Sequence, residues 1–152
     1  MKFYKLYILF IAIVGATTAC KKDNGDDPKP LTEIEKIAKT WQVSKVFMNG
    51  QEDTSGSFSS FSITFNANNG NATTYTVTPG NAIDTPNQTP NNQGVWALTA
   101  NNTQIILDSG TDNEIVVEIE AVITENSLII SWKVPKEIDK TEPSYRLELI
   151  PL

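Results

Sequence analysis

Apolar and polar residues alternate with a period of two along almost the whole chain beyond residue 40, in short runs separated by Gly, Pro, Asn, Asp and Ser. That period is the mark of half-buried strands. It predicts eight of them: Trp41–Met48, Phe58–Asn66, Thr73–Thr78, Val95–Thr99, Gln104–Asp108, Glu114–Thr124, Ser127–Val134 and Ser144–Ile150. Ile115, Val117, Ile119, Ala121 and Ile123 share one face of the sixth run, opposite Glu114, Glu118 and Glu120. Phe61, Ile63 and Phe65 do the same in the second, Leu128, Ile130, Trp132 and Val134 in the seventh, and Tyr145, Leu147 and Leu149 in the eighth. One apolar face per strand implies antiparallel sheet over a single core.

A 3.6 period occurs once within this part of the chain. In Leu31–Lys39, residues Leu31, Ile34, Ile37 and Ala38 fall on one face, and Thr32 with Glu35 forms a capping-box pattern. A helix this short needs a surface to sit on, and the end of a β core supplies one. No strand is followed by a second helical pattern, so parallel βαβ units are excluded. Every connection can be a nearest-neighbour hairpin. The expected fold is therefore all-β, an eight-stranded antiparallel up-and-down barrel with a short N-terminal helix, since closure removes both sheet edges. The alternative is a two-sheet β-sandwich.

Alternate connections of a meander lie at the same end. Residues 49–57, 79–94 and 135–143 form long loops at one end, with the turn 109–113. The short turns 67–72 (with Asn69-Gly70, a hairpin signal), 100–103 and 125–126 share the other end with the helix. Any site is expected at the long-loop end, because scaffolds present function in loops. The Asn-, Pro- and Thr-rich loop 79–94 is either disordered or a ligand lid.

The N-terminus reads differently. Lys2 and Lys5 precede the apolar run Leu6–Ala16, as in a secretory signal, and the uncharged stretch Leu6–Ala19 is shorter than the ~20 residues a spanning helix needs. It ends in TTAC, Thr17–Cys20, which resembles the lipobox of bacterial lipoproteins, with Thr17 where an aliphatic residue is usual. The resemblance implies that residues 1–19 are a signal peptide and that Cys20 is lipidated. The other readings are an uncleaved anchor helix and a reactive or structural Cys20. Residues 20–30 then form a charged tether without apolar groups, and 31–152 the domain. The acidic stretch after Cys20 is similar to the export signal of surface-exposed lipoproteins, so the expected address is the outer membrane, periplasmic or surface-exposed.

Composition narrows the chemistry. The 152 residues include 12 basic and 18 acidic side chains, no histidine and one cysteine. Ser-His and Cys-His catalytic pairs and a Cys/His zinc framework are excluded. Loss of Lys2 and Lys5 with the signal leaves 10 basic against 18 acidic side chains, a net charge of −8, which argues against nucleic acid. A non-enzymatic monomer is expected, without cofactor or metal, whose contacts are the membrane through its anchor and a small hydrophobic ligand.

The helix, the tryptophan in IAKTWQVSKV and the eight-strand meander together resemble the lipocalin pattern, as do GVWALTANNTQIIL and the ending LIISWKVP…YRLELI. The resemblance spans Leu31–Leu152 and implies a barrel that binds small apolar ligands. Two positions depart from it. Lys39 stands where lipocalins usually have Gly, and the chain's arginine, Arg146, lies at the start of the last strand. Simple antiparallel pairing puts Arg146 near Val46, roughly 16 Å from Trp41, so it cannot clasp that tryptophan.

The candidate ligand-binding residues are Phe61, Trp96, Trp132 and Tyr145, on apolar faces toward the long-loop end. They form either an aromatic mouth or ordinary barrel filling, since eight strands enclose little more than their own side chains. Lys45 shares an alternation face with Trp41, Val43 and Phe47; it either meets an anionic ligand head or is returned to water by a bulge or by snorkelling. Glu118 and Glu120 are a solvated face. The rival functions are a carbohydrate-binding module with exposed tryptophans and a structural or inhibitory lipoprotein working through protein contacts.

Overall fold

The computed structural model describes residues 29–78, 93–133 and 143–152. The signal segment, Cys20, all but the last two residues of the tether and most of the loops 79–94 and 135–143 lie outside the described residues. One helix, α1 (Glu33–Ile37), precedes nine strands: β1 (Thr40–Met48), β2 (Gln51–Glu52), β3 (Ser62–Asn68), β4 (Asn71–Thr78), β5 (Gln93–Leu98), β6 (Gln104–Leu107), β7 (Ile115–Ile119), β8 (Leu128–Lys133) and β9 (Ser144–Pro151).

The strands form an antiparallel meander in the order β1-β3-β4-β5-β6-β7-β8-β9, and β1 pairs again with β9. Eight strands thus close into a barrel, and the sandwich alternative falls. The ninth, β2, is a two-residue extension on β1, pairing Met48 with Gln51 and Phe47 with Glu52. It occupies the edge of β1 that β3 leaves free, because β3 pairs only with Thr40–Gln42. Its Asn49-Gly50 turn has positive φ at both residues (51° and 78°), as does Asn69-Gly70 between β3 and β4 (51° and 75°). Two-residue hairpins require that conformation, which matches strand twist.

Several predicted boundaries move. The strand expected from Phe58 begins at Ser62, because Gly56 to Phe61 turns on itself (Ser59 N to Gly56 O, 3.0 Å; Phe61 N to Phe58 O, 3.0 Å). The strand expected to reach Thr124 stops at Ile119. Ala121 and Val122 are exposed and Ile123 returns to the core from the loop, so the alternation read through Ala121 does not hold. At β5 the pairing starts two residues early, at Gln93.

Helix α1 is five residues long, and Thr32 and Glu35 cap it reciprocally (Thr32 N to Glu35 Oε2, 2.7 Å; Glu35 N to Thr32 Oγ1, 3.2 Å). Ile37 is fully buried and Ile34 packs on the core. Trp41, also fully buried, donates Nε1–H to Ile37 O at 2.8 Å, which fastens the helix to β1. The Lys39 ammonium stands 5.4 Å from the Trp41 ring centroid and donates to Glu125 O at 2.8 Å. A lysine two residues before the tryptophan thus supplies the cation over this ring, a contact worth about 0.5–2 kcal/mol. Arg146 is at the other end of the barrel, stacked on Phe47 (4.9 Å) and bonded to Glu120 and Glu148.

The remaining core follows the alternation: Val46, Ile63, Phe65, Tyr75, Val77, Ile105, Leu107, Val117, Leu128, Ile130, Leu147 and Leu149 are buried. Trp41→Ala should cost about 3–5 kcal/mol, as other large aromatic truncations do, and should release α1. Denaturant melts with amide exchange at Ile37 and Ala38 check this; a loss under about 1 kcal/mol would show that the ring does not hold this end.

Candidate functional site

Of the predicted ligand residues, the barrel brings three together at the end opposite the helix. Trp132 on β8 and Tyr145 on β9 are register partners, and their rings stack at 5.3 Å with 13° between planes. Phe61 closes the same end from the turn before β3, with Phe58 edge-on at 6.4 Å. Phe61 and Trp132 line an apolar void with Ile63, Leu107, Ile115 and Val117. The void has a volume of about 20 Å³, room for about one water. Among the described residues the interior is filled by side chains and shows no larger enclosed chamber.

Trp132 Nε1 is buried without a hydrogen-bond partner among the described residues. A buried unsatisfied donor costs roughly 1–3 kcal/mol, and an indole N–H can be satisfied only by an acceptor. The other two indoles are satisfied. Trp41 bonds Ile37 O, and Trp96 donates to Asn66 O at 2.8 Å.

Trp96 and Lys45 do not join the cluster. With β5 starting at Gln93, Trp96 sits in mid-strand and packs edge-on against Phe65 at 5.0 Å. Its acceptor, Asn66 O, lies where the β3–β4 register shifts between Phe65 and Ala67. Lys45 is corrected by a second bulge. The β1–β9 register runs from Val43↔Leu149 directly to Lys45↔Glu148, so Ser44 is the extra residue. The bulge exchanges the faces beyond it: Val46 turns inward and is buried, while Lys45 is exposed. It also moves Arg146 one residue along, from the expected Val46 to Phe47.

A second cluster carries no signal in the alternation. Asp108, directly after β6, is buried and has φ 52°. Its side chain lies over Gly94, where a Cβ would collide with Asp108 Oδ1 and meet Tyr75 Cε1 at 2.7 Å. Tyr75 pairs with Gly94 across β4 and β5 and its ring covers the bare backbone there. Burial pushes the Tyr75 phenol well above the usual tyrosine range, and the negative charge of Asp108 beside it adds to the rise. Gly94 reads as the last residue of a loop, and only the structure sets it inside β5, where a glycine marks a close approach. Among the described residues no group of three or more His, Cys, Asp or Glu side chains comes together to hold a metal.

A family model described as a lipocalin-like domain matches residues 37–130. The match runs from the buried helix residue Ile37 into β8. No curated protein matches the chain closely enough to be counted a relative.

Two outcomes follow from the Tyr75–Asp108–Gly94 cluster. Gly94→Ala should destabilise by about 1–3 kcal/mol, the usual cost of overpacking, measured by denaturant melts. The second concerns pH. The unfolded chain loses its tyrosine protons near pH 10, whereas folded Tyr75 keeps its proton to higher pH. The unfolded state then binds fewer protons, so stability is full below about pH 10 and falls as pH rises beyond it. Tyr75→Phe should flatten that alkaline fall; an equally steep fall in the variant would show that Tyr75 is not its source.

Proposed function

The chain belongs to the lipocalin-like domain family, and on that footing we propose that it is a non-enzymatic, lipid-anchored envelope protein that binds a small hydrophobic or amphipathic ligand at the end of the barrel opposite the helix. The observation that carries this reading is the convergence of Phe61, Trp132 and Tyr145, with an indole N–H that lacks an acceptor among the described residues. Aromatic walls with one unspent polar group are what a small amphipathic ligand needs for grip and orientation. The filled interior favours a ligand held near the rim over one swallowed whole.

Anchoring rests on the sequence. The short h-region ending in TTAC supports lipidation at Cys20, and several acyl chains on one residue would satisfy the two-signal requirement for stable membrane attachment. The outer membrane, facing the periplasm or the exterior, is the proposed address. The carbohydrate-binding reading loses its basis, because all three tryptophans are buried. A role through protein contacts is the second reading, favoured by the filled barrel and by exposed Val95, Val116, Val122 and Ile150.

Cys20→Ser should move the protein from the membrane pellet to the soluble fraction. Unchanged sedimentation with membranes would sink the anchor. For the site, binding of N-phenyl-1-naphthylamine should be saturable, and Tyr145→Ala should weaken it about tenfold, the equivalent of one aromatic contact. Equal affinity in the variant, or no binding at all, would turn the function toward protein contacts.

A further inference from the structure

The apolar side chains left in water are not spread evenly over the domain. Seven large ones are exposed among the described residues, and four of them, Leu31, Val122, Ile150 and Leu152, stand at the helix end. Leu31 precedes Thr32, the N-cap of α1. Leu152 N donates to Thr40 O at the start of β1 (3.0 Å), and Ile150 pairs with Gln42 close by. Val122 lies in the β7–β8 connection, whose Glu125 O accepts from Lys39 Nζ at 2.8 Å. All four thus border the place where the chain enters β1. Met48, Val95 and Val116 lie along the wall or toward the other end.

The two most exposed belong to the helix end, Val122 at 86% and Leu152 at 77%. Within one loop Ile123 turns into the core while Val122 is held out, so Val122 adds nothing to the packing of the fold. Single exposed aliphatic residues are ordinary, whereas a group of them at one end marks a contact. The charges at this end resist leaving water only weakly, because most are already matched. Lys36 pairs with Glu33 at 2.6 Å, the Glu35 carboxylate accepts from Thr32 N–H at 2.7 Å, and Lys39 sits over the Trp41 ring. Exposed Glu52, Asp112 and Glu114 belong to the other end.

The length of chain ahead of the domain selects what covers this face. The folded unit begins at Leu31, eleven residues after Cys20. From a lipidated Cys20 that stretch reaches at most roughly 40 Å, even fully extended. The end that carries Leu31 is therefore confined close to a bilayer. Confinement raises its effective concentration at the lipid surface, so contacts too weak to hold a free protein become occupied. With 10 basic against 18 acidic side chains after loss of Lys2 and Lys5, the chain gains nothing from anionic headgroups. Burial of apolar surface is the attraction that is left.

We propose that the helix end rests on the membrane and sets Leu31, Val122, Ile150 and Leu152 into the interfacial layer of a zwitterionic bilayer, as monotopic proteins do with their apolar faces. The proposal rests on the lipid-anchor reading above and adds an orientation to it. The end with Phe61, Trp132 and Tyr145 then faces away from the lipid, open to molecules arriving from the aqueous phase.

The test uses the full-length lipoprotein, matured in a lipidating bacterial host and reconstituted into phosphatidylcholine vesicles. Val122→Cys and Val116→Cys each carry an NBD fluorophore in separate samples, and an acylated Cys20 offers no competing thiol. The label at position 122 should shift to the blue and lose most of its emission to a doxyl-labelled lipid. The label at position 116, near the start of β7 and toward the other end, should do neither. Leu31→Cys repeats the measurement should Val122→Cys not fold. Vesicle-bound protein with both labels in water would overturn the membrane contact, leaving the anchor intact and the face to a protein partner or a second copy. Quenching at position 116 alone, or equally at both, overturns the orientation. Protein that does not float with the vesicles sinks the anchor itself, and the proposal with it.

Discussion

The ladder that pairs Trp41 with Pro151 and runs to Met48 opposite Tyr145 joins the first strand to the last. A meander of eight strands would otherwise expose two rows of unpaired backbone groups. Closure pairs them and turns one face of every strand into interior. The ladder is not uniform. The extra residue at Ser44 shifts the register by one, so strand β1 presents Trp41 and Val43 inward on one side of the bulge and Val46 on the other. The same shift sets Arg146 against Phe47 and leaves Lys45 in solvent. One inserted residue thus sorts four side chains between core and surface, because the side-chain period of a strand is two.

At the helix end the constraint is chemical as well as steric. The indole of Trp41 must find an acceptor once it is buried, and the nearest is the last carbonyl of a helix only five residues long. A helix of that length has no stability of its own. It exists because its capping box satisfies the first turn and Trp41 holds the last. Lys39 adds a cation over the ring and ties the arrangement to the β7–β8 loop through Glu125 O. The helix end is therefore closed by bonds that reach β1, β3 and the β7–β8 connection at once (Phe65 N also donates to Lys39 O at 3.0 Å).

The opposite end is fastened at the surface instead, by Arg146 between Phe47, Glu120 and Glu148 and by the bonds that Asn49 and Ser144 exchange. Its aromatic cluster packs well, yet it leaves the Trp132 indole N–H without a partner among the described residues. Filling the interior with side chains gives stability through burial, and it also removes the chamber that a swallowed ligand would need. On the proposed reading, a ligand is therefore held near the rim.

Period-two alternation, turn residues and the capping box were enough to determine eight strands, their order, the short helix and the fold class. These are local properties, set by propensity, spacing and the absence of any second helical period. β2 was not among the eight, because residues 49–57 read as a loop, although Asn49-Gly50 carries the same hairpin signal as Asn69-Gly70. Hairpin order placed Phe61, Trp132 and Tyr145 at one end, but it placed Trp96 with them, which the structure sets in mid-strand. Tertiary structure decided the rest. A bulge leaves no trace in the alternation, so the face of Lys45 and the partner of Arg146 followed from the pairing of strands about a hundred residues apart. The burial of Asp108 over Gly94 depends on how neighbouring strands diverge around a closed wall. No pattern within a single strand encodes that divergence, because it belongs to the closure of the whole sheet.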